Sequence, residues 1–144
     1  MKINIDTLSS LLSCSANQHN FKNLWNAISL HDKHVLAESK YTPANILTLL
    51  ATYENNAIRG CVARNTSTPP EILTNLSTIE SYYVAEDVAE NTSTPINTLV
   101  LLSKNKDKYV RRNVARNTST PIELLRVLSY DEDPIVRSAS KNNR

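Results

Sequence analysis

Glycine, phenylalanine, cysteine and long apolar segments are all scarce in this chain of 144 residues. It contains one glycine, Gly60, and one phenylalanine, Phe21, and apolar and polar residues rarely alternate as they would along a half-buried strand. We therefore expect an all-α protein. No apolar run approaches the roughly twenty residues of a membrane-spanning helix, and the first residues lack the apolar stretch of a secretory signal. These absences predict a cytoplasmic protein with no membrane partner.

The two cysteines, Cys14 and Cys61, are isolated in the sequence. An apolar content of 40% is enough for a continuous core in a single domain, so the fold does not need a disulfide. We expect both residues to be free thiols in a reducing compartment.

One phrase recurs along the chain. Ala-Arg-Asn-Thr-Ser-Thr-Pro occupies residues 63–69 and 115–121, and residues 89–95 differ from it only by a glutamate in the second place. The closing Thr-Pro falls at Thr68, Thr94 and Thr120, and a further Thr-Pro begins at Thr42. A fixed step of 26 residues predicts a solenoid of stacked repeats, in which the core is buried between neighbouring units.

Each unit is predicted to begin a helix at its Thr-Pro. In two units the sequence reads Thr-Pro-x-Glu, the pattern of a capping box in which the threonine hydroxyl accepts a backbone N–H and proline takes the first helical position. Counting from the threonine, the fifth, sixth and ninth residues are expected to be buried. These residues are Ile46, Leu47 and Leu50; Ile72, Leu73 and Leu76; Thr98, Leu99 and Leu102; and Leu124, Leu125 and Leu128.

A second short helix is predicted in each unit, because apolar residues recur four apart, as in Val84 and Val88. Its length supports a turn or two of α or 3₁₀ helix. The asparagines that follow, Asn65, Asn91 and Asn117, are expected to end this helix and shape the turn. They are also candidates for hydrogen bonds from one unit to the next.

The two ends depart from the pattern. Ser140 stands where the other units have valine, which suits a terminal face with no further neighbour. At the other end, residues 16–41 fit a worn repeat, with Trp25 in a normally small position, and residues 6–13 fit a short amphipathic helix. The predicted domain is therefore continuous, with residues 1–41 as an N-terminal capping helix and degenerate repeat and 42–144 as four repeats (42–67, 68–93, 94–119 and 120–144).

The unit resembles the leucine-rich repeat variant family. The likeness rests on Thr-Pro-x-Glu-Leu-Leu-x-x-Leu-Ser-x-Asp-x-Asp-x-x-Val-Arg at residues 120–137 and on Val-Ala-x-Asn at 114–117. The resemblance implies a right-handed α-solenoid of 26-residue repeats in which α-helices alternate with short α or 3₁₀ helices. It implies no common biochemical activity, because the family has none.

Charged residues that vary between units are the candidates for binding a partner, since the fold does not require them. The second repeat, residues 68–93, carries a cluster of acidic residues. The last third of the chain is basic, with ten Lys or Arg from Lys104 onward against five Asp or Glu. For arginines that follow the core valine, a structural role is the favoured alternative. The candidate partner-binding residues are Arg64, Glu86, Asp87, Glu90, Lys104, Lys108, Arg111, Arg112, Arg116 and Arg137.

His19, His31 and His34 with Cys14 raise the possibility of a zinc site, but their spacing fits no standard signature. Cys14 alone also cannot reproduce the amino-terminal cysteine cluster that holds iron and sulfur in one member of the resembled family. We therefore expect no metal and no cofactor. The sequence contains no phosphate loop, nucleophile elbow or other catalytic constellation, so we expect no enzyme.

The strict period and the missing active-site pattern predict a monomeric scaffold for protein–protein interaction, such as a small bacterial adaptor, inhibitor or immunity-type protein. The alternative is a helical-repeat protein that binds nucleic acid through the basic C-terminal third. It is weaker, because the tyrosines, Tyr82, Tyr83, Tyr109 and Tyr130 among them, form no clear stacking pattern.

Overall fold

A computed structural model of the chain describes residues 25–143. Within this range the chain forms nine complete α-helices and no strand, and residues 25–27 are also helical. The helices are α1 (Leu30–Glu38), α2 (Ala44–Ala51), α3 (Asn56–Arg64), α4 (Pro70–Ser77), α5 (Tyr82–Glu90), α6 (Ile96–Leu102), α7 (Lys108–Arg116), α8 (Ile122–Leu128) and α9 (Pro134–Asn142).

The helices form two rows with the core between them. The odd-numbered helices pack closely in sequence order, α1 on α3, α3 on α5, α5 on α7 and α7 on α9. The even-numbered helices pack against the odd row and approach one another less closely. Packing of each helix on the next but one is the arrangement of a helical repeat array, as the sequence predicted for the fold class.

The predicted core positions are buried in the structure. All three are buried in α2, α4 and α6, whereas in α8 Leu124 is half-buried. The odd row contributes one buried apolar residue near the start of each helix from α3 onward: Ile58, Val84, Val110 and Val136. The apolar period therefore identifies the faces of both rows that pack together.

The odd helices are longer than the sequence suggested. Each of α1, α3, α5, α7 and α9 is a nine-residue α-helix, and the even helices have seven or eight residues. Of the two forms expected for these helices, α or 3₁₀, the described residues adopt the α form. Side-chain caps explain part of the extra length, since Asn55, Asp107 and Asp133 accept backbone N–H groups at the starts of α3, α7 and α9.

The predicted capping box does not form at the Thr-Pro sites. Proline occupies the N-cap of α2, α4, α6 and α8, and none of these helices has a side-chain cap. The threonine before it is buried and donates its hydroxyl to a carbonyl six residues back, as Thr68 does to Val62 at 2.6 Å. Thr42, Thr94 and Thr120 do the same. A buried hydroxyl needs a partner, and the end of the preceding odd helix supplies one.

A ladder of asparagines joins each unit to the one before it. Asn91 Nδ2 donates to the carbonyls of Ala63 at 2.6 Å and Asn65 at 3.1 Å, and its Oδ1 accepts the N–H of Ser93. Asn65, Asn117 and Asn143 donate across units in the same way. The hydrogen bonds between units are confirmed, and the asparagines need no left-handed backbone, since no described residue has a positive φ.

The two ends differ from expectation in one respect. Ser140 is fully buried, and its hydroxyl donates to the Arg137 carbonyl of its own helix, so it is not an exposed capping residue. Trp25 packs against the core near Lys33, whose Nζ lies 5.1 Å from the indole centroid.

The predicted helix at residues 6–13 lies outside the described residues, and the domain boundaries remain predictions. No helix between residues 25 and 143 is long and apolar enough to cross a membrane.

Candidate functional site

A groove runs over the exposed side of α3, α5, α7 and α9. It consists of three adjoining hollows of about 410, 310 and 450 Å³. Glu86 and Asp87 line both the first and the second hollow, and Arg112 and Arg116 line both the second and the third. Because neighbouring hollows share walls, they form one continuous surface, which we call the groove.

The middle of the groove is acidic. Glu86, Asp87 and Glu90 come from α5, where spacings of three and four residues place them on one helical face. Burial raises the pKa of Glu86, and the nearby carboxylate of Asp107 raises it further. Glu86 and Glu90 form no ion pair within the described part of the chain. Arg112, which lines the same hollow, acts on the charge of Glu86 from beyond ion-pair distance, so both carboxylates can still receive a cationic group from outside.

The only glycine of the chain lies beside this acidic block. A Cβ at Gly60 would lie 2.5 Å from Asp87 Oδ2, so the missing side chain lets the carboxylate rest against α3. There Asp87 accepts two hydrogen bonds from Arg64 Nη1, both at 2.8 Å. Burial raises the pKa of Asp87, and Arg64 opposes that rise. Arg64 is thus a groove residue whose charge is already paired.

The next stretch of the groove is basic. Arg112 and Arg116 stand four residues apart on α7 and line the same two hollows. The Arg112 guanidinium lies 5.3 Å from the Tyr109 ring centroid, a cation–π contact, and donates weakly to Asn113 Oδ1 at 3.2 Å. In residues 25–143 neither arginine takes part in an ion pair. An acidic block and a basic block therefore follow one another along the groove.

Two of the candidate arginines are held by the chain itself. Arg111 is buried, and its guanidinium donates to both carboxylate oxygens of Asp131, at 2.8 and 2.9 Å. It also donates to the carbonyls of Asn105 and Lys106. Arg137 Nη1 donates to the carbonyls of Asp131 and Glu132. This arrangement favours the structural alternative for both arginines, so we leave them out of the proposed contact surface.

The candidate lysines lie away from the groove lining. Lys104 is exposed in the connection between α6 and α7. Lys108 begins α7 and lies 3.3 Å from Asp133 Oδ2. Part of the basic character of the last third is therefore neutralised by neighbouring carboxylates. The structure brings six of the ten candidates to the groove: Arg64, Glu86, Asp87, Glu90, Arg112 and Arg116.

The structure also brings together three residues that the sequence reasoning did not connect. His34 and Glu38 of α1 meet Cys61 of α3 at one end of the groove. His31 is exposed and is not part of this group, while His19 and Cys14 lie outside the described residues. The repeat register is enough to predict the contact between Cys61 and Glu38. Cys61 follows Glu38 by 23 residues, the separation that also joins Arg64 to Asp87.

No protein-family model and no curated protein matches this chain. Among solved structures, it is similar to an engineered protein whose crystal structure was determined by the Northeast Structural Genomics Consortium. The TM-score is 0.56 at 20% sequence identity, and the match covers 98% of this chain and 78% of the engineered protein. At this identity the likeness concerns the fold alone. The chain is a helical repeat-like protein that structurally resembles an engineered protein.

Proposed function

We propose that the protein is a non-enzymatic scaffold that binds a protein partner along the groove. The observation that carries the proposal is the succession of unpaired charges, Glu86 and Glu90 on α5 followed by Arg112 and Arg116 on α7. A partner segment with a basic stretch followed by an acidic one would match it. Complementary charges of this kind set specificity and association rate more than affinity.

We also propose the finer architecture that the sequence resemblance implies. In this proposal the array is a right-handed superhelix of 26-residue repeats of the leucine-rich repeat variant type, with the closely packed odd row on its inner side. The asparagine hydrogen bonds support it, because they recur at separations of 26 and 28 residues. We further propose that the protein acts as a monomer in the cytoplasm, where Cys61, a free cysteine, would stay reduced.

Nucleic-acid binding through the basic third is the second candidate. The observation in its favour is the cluster of Lys108 and Arg112 over the exposed Tyr109 ring, at 5.7 and 5.3 Å. Against it, Arg111 and Lys108 are paired with carboxylates, and the groove beside them is acidic. We therefore favour a protein partner.

Charge reversal tests the proposal. Tagged full-length protein would be used to capture partners from a native lysate, and the bound proteins would be quantified. We expect the double variant Glu86→Lys with Glu90→Lys, and separately Arg116→Glu, to lose a stoichiometric partner that the unmodified protein retains. Its capture should also weaken as salt rises, since the charges are partly exposed.

Matched controls lie on the even row, away from the groove. Glu71 of α4 and Arg126 of α8 are exposed, so Glu71→Lys and Arg126→Glu make the same charge changes elsewhere. Adding Glu123→Lys on α8 to Glu71→Lys gives a double control with the same net charge change as the groove double variant, because Glu123 is also exposed. These controls should keep the partner. Equal loss in groove and control variants would contradict the proposal, and a salt-dependent shift of nucleic acid that needs Arg112 would favour the second candidate.

A further inference from the structure

The side chains of His34, Glu38 and Cys61 converge on one point. One nitrogen, one carboxylate oxygen and one sulfur all lie within 4.8 Å of one another. His34 Nδ1 is 3.6 Å from Glu38 Oε1 and 3.9 Å from Cys61 Sγ, and Sγ is 3.8 Å from Oε1. We propose that these three residues bind a single divalent zinc ion.

The spacing of the three atoms fits a tetrahedral zinc ion. With zinc at about 2.3 Å from sulfur and about 2.0 to 2.1 Å from nitrogen and oxygen, tetrahedral edges are about 3.4 to 3.6 Å. The observed separations of 3.6 to 3.9 Å exceed these edges by a few tenths of an ångström. A small contraction of side chains would therefore bring all three donors to bonding distance.

The local fold holds the donors in place. His34 and Glu38 are four residues apart on α1, so they lie one above the other on one face. Cys61 is buried on α3, and α1 packs directly on α3. A site shared by two packed helices is more rigid than one on a loop, and rigid placement favours metal binding.

The surrounding charge matches a divalent cation. With Cys61 as thiolate, the carboxylates of Glu38 and Asp87 bring the negative charges to three, and Arg64 supplies one positive charge. Arg64 Nη2 donates to Cys61 Sγ at 3.3 Å while its Nη1 is held by Asp87. Two negative charges remain, which a zinc ion would balance. A thiol must lose its proton to bind zinc, so zinc affinity should rise with pH.

The donor set selects the metal and leaves one position open. Sulfur and imidazole nitrogen favour zinc over magnesium or calcium, which take oxygen ligands. The first hollow of the groove is lined by His34 and Cys61, so solvent can reach the ion. Water would supply the fourth ligand, as in zinc sites with three protein ligands. The inference is independent of whether the groove binds a protein.

Titration of the reduced, metal-free full-length chain with zinc chloride tests the proposal. Calorimetry should give one zinc ion per chain. The variants His34→Ala, Glu38→Gln and Cys61→Ser should each bind at least about tenfold more weakly, since even ligand-supporting groups change affinity by that much. Titration with Co²⁺ should produce a thiolate charge-transfer absorption that is lost in Cys61→Ser.

The controls are His31→Ala, on the same helix, and Cys14→Ser, the other cysteine of the chain. Both should bind zinc as the unmodified protein does, and Cys14→Ser should keep the cobalt–thiolate absorption. Glu38 is exposed, so Glu38→Gln tests the site even if Cys61→Ser unfolds the helices, which circular dichroism would reveal. Absence of stoichiometric zinc binding, binding unchanged in Glu38→Gln or in a folded Cys61→Ser variant, or loss of binding in Cys14→Ser would overturn the proposal.

Discussion

Replacing Asn91 with alanine removes one rung of the asparagine ladder from the middle of the array. The change deletes two donated hydrogen bonds, to Ala63 and Asn65, and one accepted from Ser93. The Asn65 carbonyl keeps a second partner, the N–H of Thr68, and Ser93 is partly exposed to water. The main cost therefore falls on the buried Ala63 carbonyl, which loses its cross-unit partner.

The expected loss of stability follows from these contacts. An unsatisfied buried polar group costs about 1 to 3 kcal/mol, and each ordinary hydrogen bond contributes about 1 kcal/mol. We therefore expect Asn91→Ala to lower the free energy of unfolding by roughly 3 kcal/mol, out of about 5 to 15 kcal/mol for a typical domain. Urea denaturation followed by circular dichroism measures this as a shift of the midpoint.

Two other asparagines calibrate the result. Asn143 makes the same cross-unit bonds at the end of the ladder but is partly exposed, so Asn143→Ala should cost about 1 kcal/mol. Asn75 is exposed on α4, and Asn75→Ala should change stability by no more than about 0.5 kcal/mol. A loss below about 1 kcal/mol for Asn91→Ala, or equal losses at all three sites, would refute the reasoning.

Two further predictions concern the glycine and the buried ion pair. Gly60→Ala should bring no net stabilisation in the unmodified protein, because the new Cβ displaces Asp87. In an Asp87→Ala background the same substitution should stabilise the helix by about 1 kcal/mol. A double-mutant cycle measures the difference between the two backgrounds, and equal effects of Gly60→Ala in both would contradict the prediction. Arg111→Met should destabilise by about 3 kcal/mol at neutral pH, because it leaves Asp131 buried without its partner. Arg111 lowers the pKa of Asp131, so the pair stabilises above the unfolded pKa of about 3.9 and loses that contribution as pH falls through the lower folded pKa. The melting temperatures of the unmodified protein and of Arg111→Met should therefore differ less at acidic pH than at neutral pH. A difference that does not change with pH would contradict a stabilising role for the ion pair.

The repeat period is sufficient to predict the helical array, because apolar residues recur in the sequence at the same positions of each unit and these positions are the ones that become buried. Leu47, Leu73 and Leu99 recur in register and are all fully buried. The role of Thr68 could not be read in the same way. A threonine before proline fits either a cap acceptor or a buried donor, and the choice depends on where the preceding helix ends in space.

The candidate site was predictable only in part, for a similar reason. The sequence shows that Glu86 and Arg116 are charged, but it does not show whether they are exposed. Arg111 cannot be distinguished from Arg116 by sequence alone, because its ion pair with Asp131 is visible only in the structure. Contacts between units join residues 23 apart, as Arg64 and Asp87 show. Single-residue patterns do not display such pairs, whereas the period supplies the register from which they can be derived.

The central claim, that the groove receives a protein partner, is tested most directly by site-specific photo-crosslinking. A photoreactive phenylalanine analogue would replace Tyr83, which is exposed and lines the groove, or Tyr130, which is exposed outside it. On illumination in native lysate, we expect the Tyr83 position to give a discrete crosslinked protein whose yield falls with Glu86→Lys and Glu90→Lys, and the Tyr130 position to give none. A discrete product from Tyr130 alone, or no product from Tyr83, would contradict the claim.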